Sequence, residues 1–169
     1  METSEKHLEN IKHFLNTPRI GLFQPTEESL RLFELAFTHR SLHGETTSYE
    51  RLEFLGDRVL NLVVANYLFD NHENYSVGEM SKKIEFVKNE NLANTIQKIN
   101  LFPENLINLG KGTDLTANII ADVFEAFIGA IYKNYGFDKA REITLNLLSE
   151  EIDNFQPKNL NFPSTTSEG

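Results

Sequence analysis

Apolar positions recur at spacings of three and four along most of the chain, the period that turns one side of a helix toward a core. SEKHLENIKHFL predicts a short amphipathic helix over residues 4–15. Pro18, Gly21 and Pro25 break the period in NTPRIGLFQPT, which reads as a loop. Thr26 stands where a capping hydroxyl opens a second helix, EESLRLFELAFTHRS, and Glu27 and Glu28 suit its positive end. LHGETTS interrupts again. Thr47 with Glu50 three residues on matches a capping box and predicts a third helix from Ser48 to about Asp70. Ser76 with Glu79 repeats the signature and opens a fourth helical region over 77–99, bent near Asn89. NLFPENLINLGKGTDLT reads as a loop with one short turn. A long helix over 115–134 and a last one within GFDKAREITLNLLSEEI complete the chain. No internal repeat or strand pair stands out. The expectation is all-α: one domain over residues 1–152, then a polar, disordered tail over 153–169.

Two of these helices carry acids where a core is expected. In ERLEFLGDR, Glu50, Glu53 and Asp57 share one helical face, and the apolar run VLNLVVANYLF follows at once. In IIADVFEAFIGAIY, residues 119–132, eleven of fourteen positions are apolar, yet Asp122 and Glu125 sit three apart on one face. A helix apolar nearly all round belongs inside, and an unpaired buried carboxylate costs several kcal/mol or takes up a proton. A solvated acidic stripe is the ordinary reading of one such pair. Two pairs on two apolar helices favour convergence of Glu53, Asp57, Asp122 and Glu125 on shared cations. Oxygen ligands without His or Cys suit hard ions such as Mg²⁺, with Mn²⁺ able to substitute. Two such ions side by side form a phosphodiester-cleaving site.

Composition narrows the classes. At 169 residues with 40% hydrophobic content and 13 Phe, the chain can bury a real core. With no Cys, disulfides, thiolate-held metals and cysteine nucleophiles are excluded, which fits a reducing, cytoplasmic setting. The amino-terminal twenty residues lack an apolar signal region, and no run of eighteen apolar residues exists, so no membrane association is expected. None of the five His has a Glu three positions before it, which argues against a di-iron bundle. LGKGTD lacks the Lys-Ser/Thr of a phosphate-binding loop. The formal net charge of −9 counts against nucleic acid, whose phosphates attract clustered Lys and Arg.

Against that charge stands a resemblance. ERLEFLGDR resembles the signature of the ribonuclease III family, ADVFEAFIGAIY its second acidic motif, and LAFTHRS its upstream helix motif, in the same order and spacing over roughly residues 10–150. The resemblance implies an Mg²⁺-dependent endoribonuclease acting on double-stranded RNA in processing or decay, with no small-molecule cofactor. It assigns metal-ligand roles to Glu53, Asp57, Asp122 and Glu125, with Asp57 and Glu125 closest to catalysis. It also implies a homodimer with two metal sites along one valley, each cutting one strand through an activated water that displaces the 3′ oxygen.

Phe54 is, by the same resemblance, the aromatic that enters a socket on the partner; ordinary core packing is the other reading. Glu50 is either an auxiliary acid of the site or the return half of the capping box. His39 reads as a hydrogen-bonded structural residue, and Gly56 and Gly129 as places where helices approach closely. Lys82, Lys83, Lys88 and Lys111 are candidates for weak RNA contact, but Glu79, Glu85 and Glu90 interleave with the first three, so a solvated mixed-charge face is favoured. Two departures from the family stand out. The chain holds too few residues after the last helix for the double-stranded-RNA-binding domain typical of bacterial members, and Val77 occupies a position where many have an acid. The alternative function is a non-catalytic RNA-binding or ribosome-associated protein on the same fold. Retention of all four acids favours the enzyme.

Overall fold

The computed structural model describes residues 2–158. Among them run eight α-helices: α1 (Glu2–Leu15), α2 (Glu27–Ala36), α3 (Arg40–His43), α4 (Glu50–Asn71), α5 (Val77–Lys83), α6 (Asn89–Lys98), α7 (Ala117–Tyr135) and α8 (Phe137–Asn154). Short 3₁₀ turns precede α4 and α6. The all-α expectation holds, with one isolated bridge between Thr38 and Asn108.

The centre is α7. Every residue from Ile119 to Ile131 except Asp122 is buried, as its nearly continuous apolar sequence requires. Thr116 opens the helix by accepting from the Ile119 N–H, and Gly136 closes it at φ 86°. Around α7 pack α2, α4, α6 and α8. Phe127 lies 5.5, 5.9 and 5.7 Å, ring centre to ring centre, from Phe14, Phe33 and Phe37, which ties α1 and α2 to the central helix. Each such aromatic pair adds about 0.5–1.5 kcal/mol beyond area burial.

The α4–α7 crossing positions everything that follows. A Cβ placed on Gly56 would lie 1.7 Å from the Glu125 carbonyl oxygen, and one on Gly129 would lie 2.4 Å from that of Leu52. Backbone therefore meets backbone, which only glycine permits. The close approach expected at these two glycines is real and lies inside the chain, between its two acid-bearing helices.

Several expected elements differ. The second helix ends at Ala36 rather than Ser41. Thr38 turns its hydroxyl back to the Glu34 carbonyl (2.7 Å), and the Phe37 carbonyl and His39 N–H bond to Asn108. His39 then caps α3, its Nδ1 accepting from the Ser41 N–H at 3.1 Å, the structural role expected of it. The Thr47–Glu50 capping box does not form. Thr47 donates to the His43 carbonyl, Glu50 pairs with Arg40 at 3.1 Å, and α4 starts at Glu50 without a side-chain cap. The Ser76–Glu79 box is present, and the fourth region breaks at Ile84 and restarts at Asn89.

Two further corrections concern the chain's end. Helix α8 continues to Asn154, Phe155 packs edge-on against Phe86 at 5.7 Å, and Pro157 is buried, so order extends past residue 152. The rest of the expected tail, 159–169, lies outside the described residues. Lys83 is no RNA contact: it is 1% exposed and donates to the carbonyls of Ile152 (3.1 Å), Asp153 (2.8 Å) and Phe155 (2.7 Å). A cation there satisfies the orphan acceptors at the negative end of α8.

Candidate metal centre

Helical register places the acids. On α4, Glu53 follows Leu52, which packs toward α7, and on α7, Asp122 and Glu125 lie one turn apart on the side that meets α4. Carboxylate oxygens of Glu53, Asp122 and Glu125 all fall within 4.8 Å of one another. Glu125 is buried, and the other two are half-buried. Among the described residues, no Lys, Arg or His forms an ion pair with any of the three.

That uncompensated charge shows in the proton affinities. Burial, then the charges of Asp122, Glu50 and Asp57, push Glu53 up to about 7. Burial, then Asp57, Asp122 and Glu53, push Glu125 up to about 8, with Arg58 opposing. Asp122 is also raised by burial, against the lowering effects of a hydrogen bond from Tyr49 and the nearby His39. Without a cation, the centre lowers its charge by holding protons. Three convergent oxygens, no nitrogen or sulfur donor and a surplus of negative charge fit a hard divalent ion.

Asp57 stands beside the three rather than among them. Its Oδ2 accepts from Arg58 at 2.7 Å and its Oδ1 from Asn61 at 3.0 Å, although its charge still acts on Glu125. Glu50 faces Arg40 and adds its charge to Glu53 and Asp122. Phe54 is 63% exposed, which removes the core-packing reading, and the Arg58 guanidinium sits 4.0 Å above its ring. A recess of about 680 Å³ opens next to it, lined in part by Leu32, Leu35, Leu52 and Leu55. Lys82 and Lys88 lie 3.6 and 3.7 Å from Glu85, the mixed-charge face expected there, and Lys111 is exposed on the loop before α7.

Three residues at the centre escaped the sequence reading. Asn61 and Arg58 hold Asp57, and Asn61 was in principle detectable, one turn along the same helix face. Tyr49, 4% exposed, donates its hydroxyl to Asp122 Oδ2 at 3.3 Å. Its partner is 73 positions away, and no local pattern signals it.

The chain as a whole is similar to proteins of one known family. The family described as Ribonuclease-III-like matches residues 29–152. Ribonuclease 3 of Treponema denticola is 41% identical over 135 residues, 74% of this chain and 54% of its own length. Ribonuclease 3 of Corynebacterium glutamicum is 42% identical over 132 residues, 73% of this chain and 53% of its own length. The nuclease domain of ribonuclease III from Campylobacter jejuni superposes with a TM-score of 0.68 at 30% identity, over 88% of this chain and 97% of that one. A second structure of that domain, noted for flexibility in a region involved in dimer formation, also gives 0.68, over 85% and 96%. The helices thus have the fold of a nuclease domain. The chain belongs to the ribonuclease III family. It spans about half the length of the curated relatives it matches.

Proposed function

We propose that this chain is an endoribonuclease that cleaves double-stranded RNA by two-metal-ion phosphodiester hydrolysis, with Mg²⁺ as the working ion. One observation carries the reading: three carboxylates from two crossed helices converge within 4.8 Å, with no ion pair to a Lys, Arg or His among the described residues. Glu53, Asp122 and Glu125 would hold the metal. Asp57 joins them when Arg58 yields it. A bound divalent ion supplies Lewis acidity, lowering the pKa of a water and offsetting charge on the scissile phosphate. Buried walls around Glu125 keep bulk water from screening the site, and Asp57 and Glu125 fix where the reacting groups sit.

Two copies of the chain form the working unit, Phe54 of each entering the leucine-lined recess of the other, and the enzyme acts on RNA in the cytoplasm. The exposed ring beside a recess walled by four leucines and rimmed by Glu50, Arg51 and Lys133 supports this assembly. Lys82, Lys88 and Lys111 add weak phosphate contact, so binding by this chain weakens steeply with salt.

The test is cleavage of a perfect RNA duplex in Mg²⁺ by the wild type and by Glu125→Gln. Wild-type cleavage that the variant loses is the expected result. No wild-type cleavage at high enzyme and low salt refutes the proposal and leaves the non-catalytic RNA-binding reading. Sedimentation of Phe54→Ala checks the assembly, and self-association equal to wild type removes the socket contact.

A further inference from the structure

Tyr49 is a polar group at the acidic centre that the cation reading does not use. It is held at three points. Its backbone N–H donates to the Thr38 carbonyl at 3.0 Å. Its ring packs against His39, 5.6 Å between centres, and His39 is itself fixed by Ser41, whose hydroxyl lies 2.7 Å from Nδ1. Its hydroxyl reaches across from the start of α4 to Asp122 Oδ2 on α7, 3.3 Å away. A 4% exposed side chain fixed by its backbone, its ring and its hydroxyl has one place to point. The hydroxyl has one proton, and it is spent on a carboxylate that forms no ion pair with a Lys or Arg among the described residues.

We propose that Tyr49 is a positioning residue for the cation centre, holding Asp122 Oδ2 so that the carboxylate is oriented beside Glu53 and Glu125 before a cation would bind. The proposal rests on the reading of Glu53, Asp122 and Glu125 as cation ligands. A carboxylate free to rotate would alternate between presenting one oxygen and two, and would lose conformational freedom when it bound. Fixing one oxygen beforehand removes that loss. Tyr49 also joins the two acid-bearing helices at a point separate from the glycine crossing, so the spacing between Glu53 and Asp122 is set twice. Because His39 and Thr38 lie just before α3, that segment supports the centre without contributing a ligand.

The experiment measures Mn²⁺ binding without RNA, from the electron paramagnetic resonance of free Mn²⁺, for wild type, Tyr49→Phe, Asp122→Asn, the double variant and Glu125→Gln. Tyr49→Phe removes the hydroxyl and keeps the ring that packs on His39. Its expected effect is a Kd raised roughly 10–100-fold, the range for lost outer partners of metal ligands, with Tm within about 4 °C of wild type. The cleavage rate at limiting Mg²⁺ falls by a similar factor and is recovered as Mg²⁺ is raised. In the Asp122→Asn background the same change adds nothing. A Kd within twofold of wild type overturns the proposal. So does a loss of equal size in the Asp122→Asn background, which would mean the hydroxyl acts elsewhere. Failure of the wild type itself to bind Mn²⁺ more tightly than Glu125→Gln overturns the cation reading, and the proposal with it.

Discussion

Replacing Gly56 with Ala tests whether packing and chemistry share one contact. In an ordinary helix this change gains about 1 kcal/mol, because alanine has the better helix propensity. Here the added methyl would lie 1.7 Å from the Glu125 carbonyl oxygen and 2.5 Å from its carbonyl carbon. Restoring an ordinary separation of about 3.4 Å opens the α4–α7 crossing by about 1.7 Å. Neither atom belongs to a flexible side chain, so the helices themselves must part. Overpacking of this kind costs about 3 kcal/mol, out of a total stability of roughly 5–15. The same movement carries Glu125 away from Glu53. Metal–ligand distances tolerate only about 0.2 Å, and a displacement near 1 Å can reduce rate about 100-fold. Urea unfolding should therefore show the loss of stability, and Mn²⁺ titration should show binding weakened more than about tenfold. Gly129→Ala, with a clash at 2.4 Å and an opening of about 1.0 Å, should be the milder of the two. A Gly56→Ala protein as stable as wild type, or more stable, refutes the crossing and with it this account of how Glu125 is placed.

Two further outcomes follow from the same structure. Glu53 and Glu125 hold protons in the folded state up to about 7 and about 8, from ordinary values of 4.5. The folded state thus binds more protons than the unfolded one above about pH 4.5, so metal-free stability falls as pH rises toward 8. Denaturation in EDTA should show that decline and Mg²⁺ should flatten it; a metal-free profile that rises through this window contradicts the origin of the shifts. Lys83→Met strands three carbonyls at the end of α8 and should cost about 3 kcal/mol in urea unfolding while leaving RNA affinity unchanged. Weakened RNA binding at unaltered stability would return Lys83 to the surface.

What could be read from the residues follows the range of the forces involved. Helix α7 was legible because an apolar run with one polar pair has few other fates, and its two acids were conspicuous for the same reason. Ser76 and Glu79 complete their box because neither has a better partner nearby, whereas Glu50 finds the Arg40 guanidinium, brought close by the turn at Thr38. The second helix looked longer than it is because its stop comes from Asn108, seventy residues downstream of Thr38. Lys83 misled for a similar reason: a lysine among glutamates looks solvated until the last turn of α8 arrives over it. Three of the four central acids meet as expected. The fourth, Asp57, is diverted by the adjacent Arg58, a contact between chain neighbours that spacing arguments overlook.

The burial of α7 on every side has a consequence for motion. Amide hydrogens in the middle of that helix can meet solvent only when the domain opens as a whole, so their exchange should report global unfolding. Asp122 and Glu125 therefore ride on the part of the molecule expected to exchange most slowly. The backbone of the first turn of α4 is tied to α7 by Tyr49 and by the glycine crossing, while the side chains of Glu50 and Glu53 stay only half-buried. Any adjustment of the acidic centre is thus expected from the side chains of Glu50 and Glu53, against a fixed reference on α7.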